Sequence, residues 1–262
     1  MTLRAAVDHA QPATPMHDDE YRAMFDQEER LWWYVGMRAV TASMLDRELN
    51  RKGSLRLLDV GCGTGFSLTW LRERFGSQEA FGVDVSPHAA ALWRLRGLDT
   101  VAVATATGLP FAAAEFDLVT CFDVIYQLDP AQSRAAVAEM RRVLRPGGLL
   151  FIREPAYDWM RGAHDVAVGT RHRYTRGELR RLLASEGFAP RRTTYVNTLL
   201  FWAAVPHRLL SRVRGEGQSD VRPVPRLMNS LFASALKFEA RLVNRVTFPF
   251  GLSVVALAEK KR

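Results

Sequence analysis

From Arg56 onward the chain alternates short apolar runs with stretches in which apolar residues recur every three or four positions. The runs LRLLDV, EAFGVDV, TVAVA, FDLVTCF and GGLLFI predict strands, and the stretches 67–75, 87–96 and 131–144 predict helices. That alternation is the mark of βαβ units, whose right-handed crossovers lay helices on both faces of a parallel sheet. Upstream, the spacing in Tyr21 to Arg30 and in Met37 to Leu49 predicts two helices separated by Trp32, Trp33, Tyr34 and Gly36. Downstream, a polar loop starts at Arg153. It leads to a helix with Thr175 as N-cap and Glu178 three residues on, which together form a capping box. Gly187 ends that helix before the strand FAPRRTTYV. Two amphipathic stretches, NTLLFWAAVPHRLLSRV and NSLFASALKFEARLVNRV, are split by the turn-rich GEGQSDVRPVP, and LSVVALA predicts a last strand returning to the sheet.

This pattern divides the 262 residues into a flexible leader (1–16), an N-terminal helical lid (17–52), a ligand-binding α/β core (53–196), a helical insertion (197–250) and a last strand with a basic tail (251–262). A chain of this length with 48% hydrophobic residues buries the core of one α/β domain with an appendage. The N-terminus has no apolar h-region, and no apolar run reaches the roughly 18 residues of a membrane span. Cys62 and Cys121 lie far apart within core segments, which suits a reducing cytoplasm and makes neither a disulfide framework nor a metal cluster. The formal charge of +8 is almost all Arg, since Lys stands only at 52, 237, 260 and 261. Such a surface attracts phosphates, but an Arg-rich, Lys-poor composition follows equally from a GC-rich genome.

The chemistry concentrates in LLDVGCGTGF, residues 57–66, where a strand runs into glycines at alternate positions. In a doubly wound sheet the ligand crevice opens at such a corner. The dinucleotide fingerprint G-x-G-x-x-G needs glycine at position 66, where this chain has Phe66, so a pyrophosphate ligand is disfavoured. Asp84 ends the second strand nineteen residues after Gly65, where an acidic side chain accepts hydrogen bonds from ribose hydroxyls. An adenosine-containing ligand without a pyrophosphate satisfies both observations. Asp59, under the glycine loop, is expected to order the loop backbone or to meet a cationic group of the ligand.

LLDVGCGTGF, GVDVS, FDLVTCFDVIYQL and LRPGGLLFI, in this order, resemble the motifs of class I S-adenosylmethionine-dependent methyltransferases over about residues 55–154. The resemblance implies a Rossmann-like, doubly wound α/β fold with seven strands, the last antiparallel. It also implies S-adenosylmethionine as cofactor and S-adenosylhomocysteine as product. By the same resemblance Gly61, Cys62, Gly63 and Gly65 pass close to the methionine part of the cofactor, Asp84 and Val85 stand at the ribose, and Phe122 and Asp123 lie beside the cofactor with Asp59. Thr105 and Ala106 occupy the adenine position, and Thr105 departs from the family there, because a neutral hydroxyl replaces the usual acid. EERLWWYVGMRAV, the Arg-Tyr-Thr segment 173–175 and the apolar insertion resemble a bacterial branch proposed to act on lipid-linked, glycan or secondary-metabolite substrates. In that branch Trp33 belongs to a Trp-Trp-aromatic motif, read either as a lid over the cofactor or as plain core.

A methyl acceptor bearing O–H or N–H loses a proton, and a His oriented by a carboxylate suits that task. His164 with Asp165, and then His172, are the candidate catalytic residues, weighed against polar residues that merely cap the loop. Transfer from a sulfonium also proceeds by positioning alone. The expected acceptor is a small or lipid-like molecule, anionic if the insertion's arginines reach it, with O-methylation favoured over N- or C-methylation. A peripheral membrane contact and a homo-oligomer stay open, and no metal is expected. Three alternatives remain: a nicotinamide-dependent oxidoreductase, a non-catalytic cofactor-binding protein, and a nucleic-acid methyltransferase. The last is opposed by FDVIYQL standing where base-modifying enzymes carry Asn- or Asp-Pro-Pro-aromatic.

Overall fold

The computed structural model describes residues 18–49, 55–162, 165, 168–206 and 224–261. In chain order these form α1 (Asp18–Gln27), α2 (Trp32–Leu49), β1 (Arg56–Val60), α3 (Phe66–Phe75), β2 (Glu79–Asp84), α4 (Ala89–Leu95), β3 (Val101–Val103), β4 (Phe116–Phe122), α5 (Pro130–Val143), β5 (Leu144–Pro155), α6 (Arg176–Ser185), β6 (Phe188–Val196), α7 (Arg226–Leu242) and β7 (Ser253–Lys260). The seven strands make one sheet in the order β3-β2-β1-β4-β5-β7-β6. Strands β1 to β5 pair in parallel, and β7 runs antiparallel to both β5 and β6. The architecture is the expected one, antiparallel last strand included.

The sheet has a core on each face, and the period of two along its strands decides which residue joins which. Leu58, Val60, Val119, Cys121, Leu150 and Ile152 pack with Met140 and Val143 of α5 and Leu179 and Leu183 of α6. Their neighbours Leu57, Leu118, Leu149 and Phe151 pack on the other side with α2, α3, α4 and α7. Central strands covered on both faces have no solvent side, which is why they read as unbroken apolar runs. Capping chemistry fixes where helices start. Thr175 and Glu178 form the expected capping box on α6, and Asp129 with Gln132 forms a second on α5, with Pro130 in its first turn.

The break expected at Trp32 to Gly36 lies earlier, because α2 already begins at Trp32. The reason is tertiary: the Trp32 N–H, unpaired at a helix start, donates to Asn229 Oδ1 of α7 at 2.7 Å. The Trp32 ring packs edge-on against Phe232, 5.4 Å between centroids. Of the amphipathic stretch 197–213, residues 201–206 are helical and 207–213 lie outside the described residues. Among the described residues no helix is long and apolar enough to cross a membrane.

Gly36 is where α2 and α7 touch most closely. A Cβ there would sit 2.3 Å from Leu236 Cδ1 and 2.4 Å from Leu236 Cβ, and the latter atom cannot move without its helix. Gly36→Ala is therefore expected to cost about 1–3 kcal/mol of stability by overpacking, read as a lower denaturant midpoint at unchanged slope. Adding Leu236→Ala should return part of that loss. An unchanged midpoint in the single variant would show that the two helices do not meet as described.

Candidate active site

The strand order turns back between β1 and β4, and the crevice lies beyond the carboxyl ends of β1, β2 and β4. Gly61, Gly63 and Gly65 there all have positive φ, at 76°, 54° and 84°. A Cβ on Gly61 would lie 2.2 Å from Val124 Cγ2, and one on Gly65 would lie 2.4 Å from Leu98 Cδ1. At Gly63, which is buried, a Cβ would make an ordinary van der Waals contact with Met24 Cε of α1 at 3.7 Å. The Gly61 and Cys62 N–H groups donate to Val83 O at 2.8 and 2.9 Å, tying the loop to β2, and Trp93 Nε1 donates to Gly63 O at 2.8 Å.

Asp84 organises this corner. Its Oδ2 accepts the Gly63 N–H at 2.8 Å, and its Oδ1 accepts the Ser86 N–H and the Tyr21 hydroxyl, each at 2.9 Å. Burial raises the Asp84 pKa against the pull of these donors, and burial with the adjacent carboxylate raises that of Tyr21. The Ala104 N–H donates to Asp84 O, which brings Thr105 and Ala106 beside it. The Thr105 hydroxyl lies 3.0 Å from the Thr107 hydroxyl and accepts the Thr107 N–H at 3.3 Å.

Asp59 is wholly buried and does not order the glycine loop as expected. Its Oδ1 accepts the Thr120 hydroxyl at 2.7 Å, Oδ2 has no partner, and the task of ordering the loop falls to Asp84. Burial pushes the Asp59 carboxyl up to about 7.

Across the crevice Phe122 ends β4, and Asp123 follows in a left-handed conformation at φ 56°. The Arg153 guanidinium pairs with Asp123 and lies between two rings, 4.7 Å from the Trp33 centroid and 4.9 Å from that of Phe122. Trp33 thus covers the guanidinium that Asp123 holds. Two carboxylates absent from the sequence-based candidates hold the surroundings. Glu28 accepts the Thr64 hydroxyl at 2.5 and 2.7 Å and an Arg96 N–H at 2.6 Å, fastening the α1–α2 junction to the glycine loop. Glu154 is fully buried and accepts the N–H groups of Val124, Ile125 and Tyr126 at 3.1–3.3 Å, holding the turn after Asp123. An acid inside the apolar run before Pro155 was the available signal for Glu154, whereas Glu28 gives none.

Of the candidate bases, the described residues include only His172. His164 lies outside the described residues, and Asp165, expected to orient it, faces Arg173 in a buried pair with N–O distances of 2.6 and 3.0 Å. Asp165 also accepts the Gly162 N–H at 2.7 Å, so its carboxylate serves the loop. His172 is partly exposed, with Nδ1 2.7 Å from Asp158 Oδ2 and Nε2 3.7 Å from Glu178 Oε2. Its N–H, like that of Arg171, donates to Tyr126 O, which seats this loop against the turn that Glu154 holds. Among the described residues no group of three or more His, Cys, Asp or Glu could hold a metal, and Cys62 and Cys121 are buried free thiols.

A family model described as a methyltransferase domain matches residues 58–152. The ubiquinone/menaquinone biosynthesis C-methyltransferase of Bordetella avium is 32% identical over 141 residues, 48% of this chain and 54% of that protein. Among solved structures, an S-adenosylmethionine-dependent methyltransferase of Thermotoga maritima superposes with a TM-score of 0.54 at 20% identity, over 94% of this chain and all of that one. The geranyl diphosphate C-methyltransferase of Streptomyces coelicolor gives 0.55 at 18% identity, over 84% and 78%. The chain spans about half or less of the length of the first curated relatives it matches. Residues 58–152 thus resemble a methyltransferase domain, and the fold matches that of solved class I S-adenosylmethionine-dependent methyltransferases.

Because the Asp59 pKa is raised on folding, the native state holds that proton more tightly than the unfolded chain does. This contribution to stability is complete below about pH 4 and is lost as pH rises through about 7. Asp59→Asn keeps an acceptor for Thr120 and removes the buried charge. It should exceed the parent in unfolding free energy at pH 8 by about 1–3 kcal/mol, with the gap closing toward pH 4. A pH-independent gap in paired denaturant titrations would refute this account of the carboxyl.

Proposed function

We propose that this protein transfers the methyl group of S-adenosylmethionine to a small-molecule or lipid-like acceptor. The observation that carries the reading is the corner formed by the positive-φ glycines and Asp84 at the strand-order reversal. Gly61 and Gly65 lack the side chains that their neighbours would exclude, and at Gly63 the side where a side chain would stand meets only Met24 of α1 within 4 Å. The residues fit the cofactor: Gly61, Cys62, Gly63 and Gly65 would hold its methionine part, Asp84 and Val85 its ribose, and Thr105 and Ala106 its adenine. Phe122, Asp123 and Trp33 would complete the wall, with Asp59 buried behind it. When bound, the cofactor supplies an electrophilic methyl on a sulfonium.

The chain's own part is to align the acceptor, exclude water and hold a proton where one is released. Trp33 and Phe122, clamped on Arg153, would close the end of the crevice nearest β5. His172, oriented by Asp158, is the described side chain suited to take a proton from a hydroxyl, which favours an oxygen acceptor. The relatives' printed names include C- and O-methyltransferases of ubiquinone biosynthesis, malonyl-acyl-carrier-protein O-methyltransferases and a probable tRNA methyltransferase, and the weight of the metabolite names supports a metabolite acceptor. With no membrane-crossing helix among the described residues, a cytoplasmic site of action is the reading we adopt.

Isothermal titration with S-adenosylmethionine, S-adenosylhomocysteine and NAD tests this directly. Saturable binding of the first two alone is expected, lost in Gly63→Arg, whose long side chain would enter the buried corner between the loop and Met24. Asp84→Asn should weaken binding about tenfold or more, since it removes a charge-assisted acceptor. Binding of NAD in their place, or of none of the three to folded protein, would overturn the reading.

Tyr21 allows a finer prediction. A carboxylate offers about four lone-pair sites, and Tyr21, Ser86 and Gly63 occupy three on Asp84, while a ribose diol presents two donors. Tyr21→Phe frees one site and should tighten S-adenosylhomocysteine binding several-fold. Weaker binding would instead make Tyr21 a support for Asp84.

A further inference from the structure

Helix α7 has three faces. At roughly 100° per residue, Ala233, Leu236, Glu239 and Ala240 fall on one arc, and all four are buried. Beside it, Leu227, Met228, Leu231 and Phe238 fall within a second arc of roughly 100°. A helix of a folded domain ordinarily turns such a stripe inward, yet these four are 73%, 44%, 59% and 53% exposed. The third arc carries Arg226, Lys237 and Arg241, whose side chains have no acidic partner among the described residues. The helix's one acid, Glu239, is buried and accepts the N–H groups of Asn197, Thr198 and Leu199. That bond sets Leu199, 51% exposed, beside the apolar arc, and Trp202, 67% exposed, continues the surface against Phe250.

We propose that this face docks on an anionic lipid bilayer. An exposed apolar stripe bordered by a row of cations, with no exposed acid on the helix, matches an interface that offers hydrocarbon beneath negative headgroups. Trp202 at the margin suits the headgroup level, where an indole keeps its N–H wet. A second copy of the chain fits less well, because two-fold pairing sets one patch against itself and brings the Arg226, Lys237 and Arg241 rows together. The proposal goes beyond methyl transfer and does not depend on it.

Co-sedimentation of the full chain with vesicles of phosphatidylcholine, with and without phosphatidylglycerol, decides the matter. Binding is expected only with phosphatidylglycerol, weakening as salt rises. Leu227→Glu with Leu231→Glu should lower the bound fraction about tenfold or more, while Leu95→Glu, the same change at a 73% exposed leucine on α4, should leave it unchanged. All three substitutions point into solvent, so thermal midpoints near the parent's will show that folding is intact. Retained binding in the double variant, equal loss in the α4 control, or no binding by the parent would overturn the proposal. Dimerisation in sizing experiments, abolished by the double variant without any vesicle binding, would overturn it in favour of a self-contact.

Discussion

The crevice depends on buried carboxylates that accept hydrogen bonds from irregular backbone. Asp84 is the centre of this arrangement: one side chain, 5% exposed, receives donors from the glycine loop, from the turn after β2 and from α1. Removing a carboxylate from water costs several kcal/mol unless donors replace the lost hydration, and a hydrogen bond to a charged group contributes about 1.5–3 kcal/mol. Three such bonds offset that cost only while loop, turn and helix keep their relative positions. The carboxylate therefore fixes the loop's shape as well as its charge.

The same device recurs around the crevice. Glu154 gathers three consecutive N–H groups after Asp123, where the left-handed residue turns the chain off β4 and leaves those groups without a strand partner. Glu239 does the same for residues 197–199, following the positive-φ Asn197. Glu28 takes the Thr64 hydroxyl and the Arg96 guanidinium, joining α1 to the loop and to the segment after α4. In each case an irregular segment that would otherwise leave buried donors unpaired is bound to a regular element through one acid. Loops held this way bring Asp84, Asp123 and His172 to the same end of the sheet.

What the sequence disclosed, and what it hid, follows the range of the forces involved. Leu57 to Val60 and Phe116 to Phe122 were readable as central strands because burial on both faces leaves no polar alternation. The α6 start was readable because Thr175 and Glu178 satisfy each other within one turn. The α2 start was not, because its cap is Asn229, 197 positions away. Nothing local foretold that the Asp165 carboxylate would meet Arg173, whose fork matches both oxygens from eight positions away. The glycine loop was legible as a site, while the division of labour between Asp59 and Asp84 was set by pairing across the sheet. Thr120 on β4 reaches Asp59, and the Gly63 N–H reaches across to the end of β2.

The basic composition resolves along the same lines. Arg56, Arg96, Arg142, Arg145, Arg153, Arg173 and Arg191 all pair with acids, and Arg153 and Arg173 do so with little or no contact with water. Arginine suits such positions because its fork bonds two oxygens at once and stays charged on burial, which lysine does not. These seven arginines are thus part of the frame, and a nucleic-acid groove is not needed to account for them. The cations that matter for a partner are those left unmatched, and on α7 they stand in one row beside an apolar face. Phosphate backbones ask for cations spread along a polar groove, whereas a bilayer asks for cations bordering hydrocarbon contacts, and α7 meets the second requirement.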